Sequence, residues 1–221
     1  MIVLSKGLIK IDWNKAEEYA NEDISYFLFL EGKPIDAICK IRNLEKVVVQ
    51  EHLIKGKIKY RFLAKSKDER ELFNSICNAG KLDKINLLNS IDQINQKALL
   101  SFIRRNYTDM LSKDKECAVW IVGELKDKDY SDILLKALVH KHVNIRRMAV
   151  SAMGKMELTS FEGPLIRSLD DENPQVVQYA IKALTKLKSK NALKRIETIY
   201  TLSDKQYIKN AAKEFMDRVS N

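Results

Sequence analysis

In the second half of the chain, apolar positions fall into four segments that align without gaps: Glu116-Cys-Ala-Val-Trp-Ile-Val-Gly-Glu-Leu125, Arg147-Met-Ala-Val-Ser-Ala-Met-Gly-Lys-Met156, Gln178-Tyr-Ala-Ile-Lys-Ala-Leu-Thr-Lys-Leu187 and Lys209-Asn-Ala-Ala-Lys-Glu-Phe-Met-Asp-Arg218. Ala118, Ala149, Ala180 and Ala211 stand 31 residues apart. Each is followed by an apolar residue (Val119, Val150, Ile181, Ala212) and, three further on, by another (Val122, Met153, Leu184, Phe215). Offsets of one, three and four mark one face of a helix. Leu134, Leu165 and Ile196 keep the same spacing, as do Leu138, Leu169 and Tyr200, so a second helix precedes each of the last three segments. A two-helix unit of about 31 residues cannot bury its apolar stripes alone, whereas stacked units can. A small Ala at a fixed point lets paired helices approach closely. Asp170-Asp-Glu-Asn-Pro174 supplies a turn, an acidic helix start and a first-turn proline.

The segments NIRRMAVSAMGKM and NPQVVQYAIKALTKL resemble the second helices of short HEAT repeats of the bacterial phycobilisome-lyase-like class. The resemblance covers about half the chain. It implies an α-solenoid over 112–221 whose business is binding proteins, nucleic acids or chromophore-carrying partners, and it implies no particular activity. The fourth segment departs from the pattern: Asp217 and Arg218 replace the usual Gly-Lys-Leu type of ending, as in a polar terminal cap.

Before the repeats the pattern changes. Glu22 to Glu31 reads as a short helix closed by Gly32, and Pro34 to Ile41 as a second helix opened by its proline. Arg42-Asn43-Leu44 is a tight connection, and Glu45 to Lys55 is a third helix ending before Gly56. A short helix, a three-residue turn and a following helix make a helix-turn-helix spacing. The stretch FLEGKPIDAICKIRNLEKVVVQEHLIKG is similar to the small helix-turn-helix domain near the C-terminus of RecQ-type helicases, through Gly32, Ile35, Ile38, Leu44, Val49 and His52-Leu53. On that resemblance Val49 and Leu53 pack inward while Lys46, Val47, Gln50 and Glu51 point outward. Gln50 would then meet a base edge, with Arg42 and Lys46 serving phosphates. The alternative is a three-helix unit that only packs and touches no DNA, since Glu45 and Glu51 suit a phosphate backbone poorly. His52 is expected to pack or cap. Lys55, Lys57, Lys59, Arg61, Lys65 and Lys67 alternate with Ile58, Tyr60 and Phe62, as in a short strand or wing with a basic face, or a solvated charge run.

The sequence thus divides into a helix-turn-helix domain at 1–65 with its core at 22–56, connecting helices at 66–111, and the repeats at 112–221. The expected fold class is all-α, an α-solenoid of HEAT-like repeats preceded by a small helix-turn-helix domain. The connecting stretch is helical from Asp68 to Tyr107, with breaks at Asn78-Ala-Gly80 and around Ser90-Ile-Asp92. In the stretch ahead of Glu22, Trp13 is the expected anchor.

Charge adds a direction to this picture. The 221 residues carry a net charge of +9, and neither half is a basic tail. Between Asp132 and Glu157 there is no acid, while Lys136, Lys141, Arg146, Arg147 and Lys155 are present; from Asn173 to Ile196 there is again none, with Lys182 and Lys186 among six basic residues. A basic repeat surface of Lys141, Arg146, Arg147, Lys155, Lys182 and Lys186 is therefore expected, suited to an anionic partner. Cys39, Cys77 and Cys117 are far apart and read as reduced, mostly buried thiols of a cytoplasmic protein. No apolar run approaches the roughly 20 residues that span a bilayer, and Met1 to Gly7 lacks a leader's apolar core and cleavage site.

No phosphate-binding loop, dinucleotide fingerprint, nucleophile elbow or zinc-protease motif occurs, and no small-molecule substrate, cofactor or catalytic residue is expected. His140 and His142 lack a third ligand in sequence reach, so no metal is expected either. HEAT-like DNA glycosylases place an aromatic, a carboxylate and an arginine together; Trp120, Glu124 and Arg146 or Arg147 are the residues to test, though Glu124 falls at an ordinary variable position of the repeat. The leading expectation is a non-enzymatic protein that contacts nucleic acid through the helix-turn-helix unit and the basic repeat surface. The alternative is a scaffold that holds an acidic segment of a protein partner.

Overall fold

The structure, a computed structural model, describes residues 3–219, with side chains from residue 6 onward. Met1, Ile2, Ser220 and Asn221, at the outer bounds of the first and last expected domains, lie outside the described residues, as does part of the leader test on Met1 to Gly7. The described chain is all-α apart from one hairpin. It divides into two units, Met1–Phe102 and Ile103–Asn221.

The first unit opens with β1 (Val3–Lys6) paired antiparallel to β2 (Ile9–Asp12), with Lys6 opposite Ile9. The two-residue loop has positive φ at Gly7 alone, the pattern of a II′ turn. A Cβ on Gly7 would lie 2.4 Å from the Leu63 carbonyl oxygen, and the next amide, Leu8 N–H, donates to that oxygen at 2.9 Å. Glycine is needed here for both reasons. Trp13, the expected anchor, donates its indole N–H to Glu31 Oε1 at 2.5 Å.

The helices α1 (Asn21–Leu30), α2 (Ile35–Arg42) and α3 (Lys46–Lys65) follow in the expected order, with α1 and α2 both packed on α3. The turn after α2 is closed by Asn43 in the left-handed region at φ +50°, and Leu44 N–H reaches back to the Cys39 carbonyl at 3.0 Å. Val49 and Leu53 are buried, and His52 meets the buried Ser25 hydroxyl at 3.0 Å. One expectation fails: the third helix does not stop at Gly56 but runs on to Lys65. Of the two readings of Lys55 to Lys67, the strand or wing gives way to helix, and the six basic residues are exposed as in a solvated charge run. Gly56 is not a terminator because its missing side chain is space for a neighbour: a Cβ there would lie 2.3 Å from Cγ of Tyr26 on α1. The Tyr26 ring fills that space and stacks on Tyr60 at 5.7 Å between centroids, with Phe27 5.2 Å from Tyr60 on another side. Burial, then the charge and hydrogen bonding of Asp23, push the Tyr60 hydroxyl far above the ordinary tyrosine range.

Three helices complete this part, α4 (Glu69–Asn78), α5 (Lys81–Ser90) and α6 (Gln93–Asn106), with breaks where the sequence places them. Asp68 caps α4 by accepting from Glu71 N–H at 2.8 Å, and the Glu71 carboxylate answers by accepting from Lys67 N–H at 2.8 Å. None of the three cysteines is in a disulfide; Cys117 is buried, but Cys39 and Cys77 are half-exposed rather than buried as expected.

In the second unit, α7 (Ser112–Leu125), α9 (Val143–Met156), α11 (Pro174–Leu187) and α13 (Gln206–Val219) are each 14 residues long. The shorter α8 (Ser131–Leu138), α10 (Glu162–Arg167) and α12 (Leu193–Leu202) alternate with them. Helix α7 packs on α9, α9 on α11 and α11 on α13. The four periodic alanines are all buried, as are Leu134, Leu165 and Ile196. The approach is set by small residues. A Cβ on Gly123 would lie 2.6 Å from Ala152 Cβ, and one on Gly154 2.9 Å from Ala183 Cβ. Asn173 caps α11 by accepting from Gln175 N–H at 2.9 Å, with Pro174 in its first turn. The acids expected at that helix start precede it instead. Three helices of this unit end in left-handed residues that are not glycine: Lys126, Glu157 and Lys188, at φ +51° to +53° and in step with the repeat period.

Two stability measurements check this packing. Gly56→Ala should lower the urea-derived unfolding free energy by about 1–3 kcal/mol through overpacking against Tyr26, despite alanine's better helix propensity. Lys188→Gly should raise it by about 0.5–1 kcal/mol, because relief of a left-handed Cβ exceeds the added chain entropy of glycine.

Candidate functional site

On each long helix of the second unit, three positions four residues apart share one side, at fixed offsets from the buried alanine. They are Glu116, Trp120 and Glu124 on α7; Arg147, Ser151 and Lys155 on α9; Gln178, Lys182 and Lys186 on α11; and Lys209, Lys213 and Asp217 on α13. The side is acidic at α7 and mostly basic from α9 onward. Between α9 and α11 lies a hollow of about 190 Å³ walled by Lys155, Lys182, Lys186 and Tyr179, with Val150, Gly154 and Ala183 as an apolar floor. Tyr179 is flanked by cations: the Arg147 guanidinium is 5.7 Å from its ring centroid and Lys182 Nζ 5.8 Å. Arg147 Nε is buried and has no hydrogen-bond partner.

The expected basic surface separates into two groups. Lys155, Lys182 and Lys186 line this hollow, and Arg147 stands against its Tyr179 ring. Lys141 and Arg146 line a different surface depression, with His142, Val143, Glu172 and Asn173. Arg146 is moreover not a free surface cation. Its Nε and Nη2 donate to the two Asp171 oxygens at 2.7 and 2.9 Å, and Nη1 donates to the His140 and Lys141 carbonyls. Both side chains of the pair are largely buried, with relative exposures of 17% and 11%. Asp171 is pushed up by this burial, yet the Arg146 hydrogen bonds, the Asn173 amide and the Arg146 charge outweigh it and hold the carboxyl below the usual range.

The acid-free stretches are also partly answered by acids one repeat away. Lys155 pairs with Glu124, Lys186 approaches Glu157 at 3.9 Å, and Arg195 pairs with Asp170. Exposed pairs of this kind hold their partners weakly. Of the residues a glycosylase would use, Glu124 pairs with Lys155, Arg146 is held by Asp171, Arg147 stands against the Tyr179 ring, and Trp120 is half-exposed.

In the first unit, Arg42 is tied to α1 by Nη2 donating to Asn21 Oδ1 at 2.7 Å, and Lys46 pairs with Asp36 on α2 at 3.2 Å. Gln50, Glu45 and Glu51 are exposed. So is an apolar stripe along α3 formed by Val47 (63%), Ile54 (59%) and Ile58 (71%).

His140 and His142 stack at 5.2 Å, and His142 N–H donates to His140 Nδ1 at 3.0 Å. Partial burial, then the charges of Lys115, His142, Lys141 and Arg146, hold the His140 imidazole below the ordinary histidine value. Among the described residues no three His, Cys, Asp or Glu side chains are grouped to hold a metal ion, and no helix is long and apolar enough to cross a membrane.

Tyr179 and Asp171 escaped the sequence reading. The signal for Tyr179 was an aromatic at a repeat position where the other segments have Cys117, Met148 and Asn210. Asp171 carried no local signal, because its partner Arg146 belongs to the preceding long helix.

No family model and no curated protein matches the sequence. Among solved structures, an engineered protein from the Northeast Structural Genomics Consortium is similar over 97% of this chain and 94% of that one, at 12% identity and a TM-score of 0.49.

The Arg146–Asp171 pair makes a pH-dependent contribution of known sign. Because the folded carboxyl pKa is lowered, its stabilisation is complete above the ordinary carboxylate range and is lost as pH falls through the lowered value. Asp171→Asn should cost about 2–3 kcal/mol at neutral pH. In urea titrations the gap between the two proteins should narrow progressively as pH is lowered below the ordinary carboxylate range.

Proposed function

We propose that the chain is a non-enzymatic binding protein whose second unit is an α-solenoid of HEAT-type repeats, and that the α9–α11–α13 side of this solenoid holds nucleic acid, chiefly through its phosphates. The observation that carries the reading is the gathering of Arg147, Lys155, Lys182 and Lys186 on one side of two adjacent helices. Lys209 and Lys213 extend the same positions on α13. Weak pairing leaves these cations available, so a polyanion would gain by releasing its own counterions. The HEAT assignment is supported by the regular period of buried alanines, of left-handed helix ends and of helix-to-helix contacts. The helix-turn-helix unit is the weaker contact in this reading, with Gln50 and Val47 outermost and Arg42 and Lys46 already engaged within the unit. Three cysteines outside any disulfide accord with work in a reducing compartment such as the cytoplasm.

A second reading, a scaffold for a protein partner, is favoured by one feature. The Val47–Ile54–Ile58 stripe on α3 is apolar and open, which suits a partner's side chains better than a phosphate backbone.

A salt titration separates the two. With about four phosphate contacts, affinity for a fluorescent oligonucleotide should fall about 10²-fold between roughly 50 and 200 mM salt, and charge reversal at Arg147, Lys182 and Lys186 should flatten that slope. Absence of binding at the low-salt end would reject the nucleic-acid reading.

A further inference from the structure

The Tyr179 hollow has more than cations. A surface that serves only phosphates needs charge and hydrogen-bond donors, and gains nothing from an apolar floor or an aromatic ring. Here three lysines stand around a floor of Val150, Gly154 and Ala183, and Tyr179 rises at one side, half-exposed. The floor exists for a packing reason: Gly154 is what lets α9 approach Ala183 on α11. Arg147 and Lys182 lie over this ring, 5.7 and 5.8 Å from its centroid, so a base that stacked on it would take the place of one of these exchangeable cations, which would turn to the strand's phosphates.

Duplex nucleic acid offers a surface mostly its phosphates and sugars, with base faces stacked inside. A single strand offers a phosphate and a free base face at every nucleotide, the two features this hollow is equipped for. We propose that the α9–α11 hollow is a seat for one unpaired nucleotide, its base stacked against Tyr179 over the apolar floor and its flanking phosphates met by Lys155, Lys182 and Lys186. The preferred ligand is then single-stranded nucleic acid. This rests on the nucleic-acid reading above and narrows it.

The test uses the full chain and fluorescence anisotropy with four probes of equal length: single-stranded DNA, single-stranded RNA of the same sequence, duplex DNA, and a DNA strand made of abasic nucleotides. The expected result is tighter binding of at least one base-bearing single strand than of either duplex or abasic strand, by about tenfold. Tyr179→Ala should erase that preference while leaving the salt slope unchanged, and Tyr179→Phe should keep it. Lys182→Glu with Lys186→Glu should flatten the slope. Thermal melts of each variant show whether the fold survives, and the abasic comparison needs only the unaltered protein. Equal affinity for abasic and base-bearing strands, or duplex bound as tightly as both single strands, overturns the stacking seat and leaves phosphate binding intact. No binding of any probe at low salt removes the broader reading as well.

Discussion

The second unit depends on how closely its long helices can approach. Gly123 faces Ala152 and Gly154 faces Ala183, with so little room that a single added carbon would fall inside contact distance. At that separation the larger residues beside the contact (Val122, Val150, Met153, Ile181, Leu184) interlock and bury completely. The short helices α8, α10 and α12 then cover what the long ones leave exposed. The first unit solves the same problem differently. There one glycine, Gly56, admits a large ring, Tyr26, and an aromatic cluster forms around it. In both places a missing side chain is the structural element.

The same repetition organises charge. Because each long helix sits one repeat from the next, residues one period apart in sequence become lateral neighbours. Glu124 meets Lys155 and Glu157 comes near Lys186. Arg147 reaches Tyr179 by the same logic. Arg146, one residue earlier, points about 100° round the helix and is drawn into the turn, where Asp171 and two carbonyls bind it. Adjacent arginines thus serve different ends: one ties two successive repeats together and the other faces the open side. The charged side is a by-product of the stacking period, since any residue type favoured at those offsets is displayed as a row.

Sequence periodicity made much of this legible. The four alanines, the helices before them and the breaks near Gly80 and Asp92 follow from local spacing and turn chemistry, and the burial of Val49 and Leu53 from the helix-turn-helix resemblance. The basic character of α9 and α11 was also readable, since it is a matter of composition. What could not be read was whether each cation was free. Arg146 and Lys155 look alike as letters, and their partners, Asp171 and Glu124, each lie on a neighbouring repeat. Helix ends at Lys126, Glu157 and Lys188 carried no signal either, because left-handed closure normally advertises itself with glycine.

Gly56 states the division most clearly. By local rules a glycine after a run of helix formers ends the helix, and basic residues alternating with Ile58, Tyr60 and Phe62 then suggest a strand. The chain instead continues as helix to Lys65, because Tyr26, two helices earlier on α1, occupies the space that a side chain would need. The sequence by itself determined a predominantly helical chain, the repeat period and the excess of positive charge, since these depend on neighbours within a turn or two or on composition alone. Only the tertiary structure decided where α3 ends, which cations are bound and that Tyr179 stands among them, because each is settled by a contact between residues that local spacing cannot see.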